Sequence, residues 1–123
     1  MAKSRASHRV DVIDDVIALY RRSWFGRWRC TQRLAQADVR RIELQIIPRL
    51  VWDEVFIVFC GCDAHLSMEE GDEGFNVVAE WMDERFALVE PDWRQRAHDF
   101  ITENPLIGCD ILLWSGIPDG DQT

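Results

Sequence analysis

The longest apolar stretch in the chain is residues 50–60, which read LVWDEVFIVFC. Laid on a helix, its apolar residues cover nearly the whole circumference, which is typical of a helix at the centre of a fold. The core of the stretch, residues 55–59, is also a β-branched and aromatic run with the length of a buried strand. Pro48 favours the helix, because proline can end the preceding segment and occupy the first turn of the next helix.

Four other segments carry apolar residues at three- and four-residue spacing, which predicts amphipathic helices over residues 10–24, 37–47, 75–89 and 93–101. The pattern therefore predicts a mostly α-helical single domain, a compact bundle of about five helices around the central apolar helix of residues 50–60. The alternative is an α+β fold in which residues 55–59 pair with residues 111–114. We favour the helical fold, because a sheet of only two strands is marginally stable.

Length and composition fit one domain spanning residues 1–123, with 47% hydrophobic residues and six tryptophans to build a core. We expect the termini, residues 1–6 and 117–123, to be flexible. No apolar run reaches the length of roughly 20 residues that a bilayer requires, and no apolar segment follows the basic N-terminus. The sequence therefore predicts a cytoplasmic protein without membrane attachment, whose four cysteines are reduced thiols.

The two halves of the chain carry opposite charge. Residues 1–50 contain eleven Lys and Arg against five Asp and Glu, a net charge of +6. Residues 51–123 contain three arginines against seventeen Asp and Glu, a net charge of −14. The two halves can pack with their charges facing water or each other, and an acidic surface can also attract a basic partner. Self-association through the oppositely charged halves is compatible with the same pattern.

The acidic half supplies the main candidate for a binding site. Tryptophan is the residue most enriched at binding hot spots, and Trp81 is offset from the apolar stripe of its predicted helix, among acidic residues. We therefore expect an exposed Trp81 to anchor a partner with a basic surface, steered by seven surrounding carboxylates: Glu69, Glu70, Asp72, Glu73, Glu80, Asp83 and Glu84. The leading hypothesis is a small acidic protein that binds and masks another protein, in the manner of immunity and inhibitor proteins.

Residues 21–33 carry the second hypothesis, which is nucleic-acid binding. Five arginines alternate there with Trp24, Phe25 and Trp28, a composition that can pair with phosphates and stack on bases. The overall net charge of −8 opposes this function. The same aromatic residues could equally pack in the core, with the aliphatic parts of the arginines covering their edges.

The third hypothesis is a thiol- or metal-dependent enzyme built around Cys60, Cys62 and His65. Structural zinc sites usually space paired ligands by two to four residues and supply two such pairs. Here one residue separates the two cysteines, and no second pair is present. The sequence also lacks the motifs of phosphate loops, nucleophile elbows and dinucleotide sites, so it predicts no catalytic residue, no metal site and no cofactor.

Overall fold

A computed structural model describes residues 8–49 and 53–116 of the chain. These residues form seven strands and two α-helices, so the predicted five-helix bundle is wrong and the fold is mainly β. In chain order the elements are β1 (His8–Ile13), β2 (Val16–Arg22), β3 (Trp28–Ala35), β4 (Arg41–Pro48), β5 (Asp53–Cys60), β6 (His65–Glu69), α1 (Phe75–Arg85), α2 (Trp93–Glu103) and β7 (Cys109–Ser115), with a 3-10 turn at Gln36–Asp38.

The first sheet has the strand order β1-β2-β3 and is antiparallel. The helix predicted over residues 10–24 is instead a hairpin, because Asp14 and Asp15 adopt positive φ angles of 53° and 61°. Two consecutive residues of this conformation form the tight turn that joins twisted antiparallel strands, and aspartate tolerates it better than most residues. Apolar residues that the helical period had grouped together are therefore divided between two paired strands.

The second sheet has the strand order β6-β5-β4-β7, and β4 and β5 are its central strands. The predicted helix over residues 37–47 is wrong, because β4 alternates: Ile42, Leu44 and Ile46 are buried, and the residues between them are more exposed. This period of two is that of a strand with one face in the core.

The apolar stretch of residues 50–60 contributes β5, a strand rather than a helix, and its residues Leu50, Val51 and Trp52 lie outside the described part. Val55, Ile57 and Phe59 of β5 are buried. Residues 55–59 and 111–114 are both in strands, as the α+β alternative proposed, but they do not pair with each other. Each pairs with β4, on its opposite edges.

The helices predicted over residues 75–89 and 93–101 are confirmed as α1 and α2. α1 is shorter than predicted and ends at Arg85, whereas α2 is longer and ends at Glu103. Phe75, Val78 and Met82 of α1 join one apolar core with Trp93 of α2 and the buried faces of both sheets. The loop before α1 docks on β1, where the backbone N–H of Val10 donates to the carbonyl oxygen of Glu73 at 2.9 Å.

Neither of the two described helices is long and apolar enough to cross a membrane. The compartment in which the protein works stays a prediction. The termini expected to be flexible, residues 1–6 and 117–123, lie outside the described residues.

Candidate functional site

The expected anchor Trp81 is buried, with only 8% of its surface exposed, so the expectation of an exposed ring is wrong. Its indole N–H donates to Oδ1 of Asp15 at 3.1 Å, and its ring packs edge-on against Phe86 with centroids 5.8 Å apart. Arg85, on the next turn of α1, pairs with the same Asp15 oxygen at 2.9 Å. Trp81 therefore fastens the helix to the turn between β1 and β2.

The four acidic residues at the end of β6 and in the loop before α1 form a turn that is hydrogen-bonded to β1. Oδ2 of Asp72 accepts a hydrogen bond from the backbone N–H of Glu69 at 2.8 Å, while Glu70 and Glu73 are exposed. Burial raises the pKa of both Glu69 and Asp72, and the nearby His8 acts in the opposite direction on each. The Asp72 carboxylate is thus bonded within the turn, Glu69 is half-buried, and Glu70 and Glu73 face water.

The three acidic residues of α1 also have different surroundings. Oδ1 of Asp83 accepts a hydrogen bond from the indole N–H of Trp93 at 3.0 Å, which joins α1 to α2. Glu80 and Glu84 are exposed, and Val77, on the same face of the helix, is 63% exposed. We refer to Val77, Glu80 and Glu84 as the α1 acidic strip.

The most exposed aromatic side chains in the described part of the protein are those of Trp24 and Phe25, at 88% and 74%. They lie at the tip of the β2–β3 hairpin, with ring centroids 4.2 Å apart. Ser23 organises this tip: its backbone N–H donates to the carbonyl oxygen of Arg27 at 2.7 Å, and its hydroxyl oxygen accepts from the Arg27 N–H at 3.2 Å. Gly26 completes the turn with φ of 88°.

Five arginines and no acidic residue occupy positions 21–33 around this tip. Arg21 and Arg29 are cross-strand partners on β2 and β3, and both are exposed. Among the described residues, neither of them nor Arg27 has a carboxylate within ion-pairing distance. We refer to residues 21–29 as the basic-aromatic hairpin.

Trp28 differs from the tip aromatics because arginines cover its ring. The guanidinium carbon of Arg22 lies 4.5 Å from the ring centroid, and that of Arg9 lies 5.4 Å away and also 5.0 Å from the Tyr20 ring. Such cation–π contacts contribute about 0.5–1 kcal/mol each at exposed sites. Trp28 therefore supports the hairpin, and Trp24 with Phe25 forms its exposed end.

The three residues of the thiol hypothesis lie together where β5 ends and β6 begins. Cys60 and His65 are cross-strand partners at the ends of β5 and β6, while Cys62 lies in the loop between them and is exposed. Burial raises the pKa of Cys60, which leaves it a neutral thiol near pH 7 rather than a nucleophilic thiolate. Across residues 8–49 and 53–116, no group of three His, Cys, Asp or Glu side chains is placed to hold a metal ion.

Comparison of the chain with models of known protein families, with curated proteins and with solved structures gives no match. The sequence indicated the arginines and the aromatic residues of this segment as a possible nucleic-acid site, but it placed the protein-binding anchor at Trp81 and indicated no role for Val77. Gly26, midway between two apolar segments, was the available signal for a hairpin tip there.

Proposed function

We propose that this protein binds and masks another protein by inserting the tip of the basic-aromatic hairpin into an apolar concavity rimmed by carboxylates. The observation that carries the proposal is the exposure of Trp24 and Phe25, at 88% and 74%, on a projecting turn. Such rings add little to the stability of the isolated fold, since most of their surface faces water. Buried in a partner, tryptophan side chains are among the strongest hot spots, each worth about 2 kcal/mol or more.

The tip is preorganised for this role. The Ser23–Arg27 hydrogen bonds, together with the bond from the Gly26 N–H to the Ser23 carbonyl oxygen at 2.8 Å, fix the backbone that carries both rings. A fixed turn loses less conformational entropy on binding than a flexible loop does, so more of the contact energy contributes to affinity. Trp28, the first residue of β3 after this turn, contacts the guanidinium groups of Arg9 and Arg22.

The arginines of the hairpin define the charge of the partner. Arg21, Arg27 and Arg29 are unpaired within the described structure and would raise the rate of encounter with an acidic surface. The proposal therefore replaces a basic partner by an acidic one. The acidic residues first expected to steer a partner keep that role only as an untested prediction, because the aromatic anchor placed among them, Trp81, is buried.

Protein rather than nucleic acid is the favoured partner because the stacking surface is small. Binding of single strands uses a basic groove along which successive bases stack on separate aromatic rings. Here Trp28 is covered by arginines, and Trp24 and Phe25 contact each other at one tip. Glu73 pairs through its backbone with β1, which places an acidic turn beside the basic sheet. A compact aromatic tip suits a pocket better than an extended strand.

Photo-crosslinking from the tip would test the proposal. A photoreactive phenylalanine analogue replaces Phe25 in the full chain, the tagged protein is added to an extract of its own source, and the crosslinked products are mapped by mass spectrometry. A matched control carries the analogue at Ile107, which is also exposed, at 54%, in the loop before β7. We expect one stoichiometric protein product from position 25, lost with Trp24→Ala, reduced at high salt and absent from position 107.

Two results would overturn the proposal. Crosslinks to nucleic acid at position 25 would assign the hairpin to nucleic-acid binding instead. Equal crosslinking from positions 25 and 107, insensitive to Trp24→Ala, would show that the tip has no specific partner.

A further inference from the structure

A second surface of this chain has the chemistry that the hairpin requires. Glu80 and Glu84 are four residues apart on the exposed face of α1, with exposed Val77 beside them. Among the described residues, neither glutamate has a cationic side chain within ion-pairing distance. Like charges at this helical spacing destabilise a helix by about 0.2–0.5 kcal/mol, so a bound pair of cations would relieve the repulsion.

The hairpin carries the complementary arrangement. Arg21 and Arg29 lie directly opposite each other on β2 and β3, a like-charged cross-strand pair that is itself unfavourable. Side chains of such a pair begin about 5 Å apart at their Cβ atoms. Glu80 and Glu84 are separated by about 6 Å along the helix axis, because four residues rise about 1.5 Å each. The two pairs are therefore opposite in charge and similar in spacing.

We propose that the basic-aromatic hairpin of one copy docks on the α1 acidic strip of a second copy of this chain. Arg21 and Arg29 pair with Glu80 and Glu84, and the exposed rings of Trp24 and Phe25 cover Val77. In one copy both surfaces stay open, as the 88% exposure of Trp24 and the 63% exposure of Val77 show. The contact joins two different patches, so it is head-to-tail and leaves one free hairpin and one free strip unless the assembly closes.

The inference shares the hairpin with the proposed function, and it adds regulation of that same site. A hairpin engaged with a second copy cannot insert into a partner, so self-association and partner binding exclude each other. At low protein concentration the hairpin is free, and at high concentration it is covered. A partner that offers a better acidic pocket would dissociate the assembly by mass action.

The test measures the mass of the purified full chain by sedimentation over a wide range of protein concentration. We expect the wild-type protein to self-associate, with an affinity that falls as salt rises. The double variants Glu80→Arg/Glu84→Arg and Arg21→Glu/Arg29→Glu should each lose about tenfold or more in self-affinity. Mixed together, the two variants should associate with each other, because the unchanged hairpin of one meets the unchanged strip of the other, and the two reversed surfaces are also complementary.

The matched control is Asp99→Arg/Glu103→Arg, an exposed acidic pair with the same four-residue spacing on α2. This variant changes the net charge by the same amount as Glu80→Arg/Glu84→Arg and should leave self-association unchanged. A monomeric wild-type protein at every concentration, equal loss in the control, or no association in the mixture would each overturn the inference. Crosslinking to a partner from position 25 should persist in Glu80→Arg/Glu84→Arg, so this inference can fail while the proposed function holds.

Discussion

The indole N–H of Trp81 donates a hydrogen bond to Oδ1 of Asp15 at 3.1 Å, across a sequence separation of 66 residues. The bond joins the last part of α1 to the turn between β1 and β2. The same Asp15 oxygen pairs with Arg85 at 2.9 Å. One carboxylate in a turn of positive φ therefore joins α1 to the first sheet, and this explains why an apparently offset tryptophan is buried.

Asp15→Ala should destabilise the protein by about 2–3 kcal/mol, since it removes the bond to Trp81, the ion pair with Arg85 and a residue that tolerates positive φ. Asp15→Asn is the matched variant. Asparagine adopts the same backbone conformation and retains an oxygen for the indole N–H. Asp15→Asn should therefore lower the free energy of unfolding by less than about 1 kcal/mol. Urea unfolding would measure both values. Equal losses would show that the ion pair, rather than the indole hydrogen bond and the turn, dominates.

Gly74→Ala should reduce the free energy of unfolding by more than about 2 kcal/mol. Gly74 has φ of 87°, and a Cβ atom there would overlap the carbonyl oxygen of Val10. Gly71, in the same loop, has open space around its Cα, so Gly71→Ala serves as the control and should change stability by less than about 0.5 kcal/mol. Thermal unfolding of the two variants would compare them. A tolerated Gly74→Ala would contradict the docking of this loop on β1.

The pH dependence of stability should reflect the half-buried carboxyl of Asp72. Burial raises its pKa, so the folded state holds its proton more tightly than the unfolded state does. The protonated carboxyl therefore stabilises the fold fully at a pH below the ordinary carboxyl pKa, and this stabilisation is lost as the pH rises through the raised pKa of the folded state. Asp72→Asn keeps an oxygen for the Glu69 N–H and removes the titration, so it should be more stable than wild type near pH 7.

Unfolding of Asp72→Asn and wild type would be followed as the pH is lowered towards about 4, where the difference should shrink. Glu70→Gln, at an exposed neighbouring position, controls for the loss of one negative charge from the turn. A variant less stable than wild type at neutral pH would mean that the ionised Asp72 carboxylate stabilises the turn more than its burial costs.

The amphipathic patterns of α1 and α2 were sufficient to predict them, because each stripe runs for about three turns without a competing strand pattern. The strands before them were harder. Residues 10–24 fit a helical stripe only if Asp14 and Asp15 belong to a regular element, and the positive φ angles that make them a turn are not evident from charge or hydropathy. The local pattern alone could not decide between one helix and a β-hairpin.

β4 is different, because its alternation is visible in the sequence: Ile42, Leu44 and Ile46 alternate with Arg41, Glu43 and Gln45. A strand there would have supplied the partner that β5 and β7 lacked, and the objection to a two-stranded sheet would have disappeared. The burial of Trp81 was beyond sequence reasoning, because it depends on a contact with Asp15 from a distant hairpin. The exposed tip at Trp24 belongs to the next hairpin, β2–β3, which the helical interpretation of residues 10–24 also missed.

The four thiols should react at two different rates with an alkylating reagent in the folded protein. Cys30 and Cys62 are exposed, whereas Cys60 and Cys109 are half-buried with pKa values that burial raises. The thiolate is the reactive form, so both accessibility and ionisation slow the second pair. Mass spectrometry after brief iodoacetamide treatment would count the modified residues. Early modification of Cys60 would contradict its position in β5.

Different residues of the basic-aromatic hairpin should contribute to the stability of the fold and to partner binding. Trp24→Ala with Phe25→Ala should change the free energy of unfolding by less than about 0.5 kcal/mol, because both rings already face water in the folded chain. Trp28→Ala should cost about 1–3 kcal/mol, since it removes a half-buried ring and its contacts with Arg9 and Arg22. Urea unfolding gives these values for the purified protein. Trp24→Ala alone, in the chain that carries the photoreactive analogue at position 25, should nevertheless lose the partner-dependent crosslink. A tip variant as unstable as Trp28→Ala would show that Trp24 and Phe25 support the fold, and the argument for a recognition tip would fail.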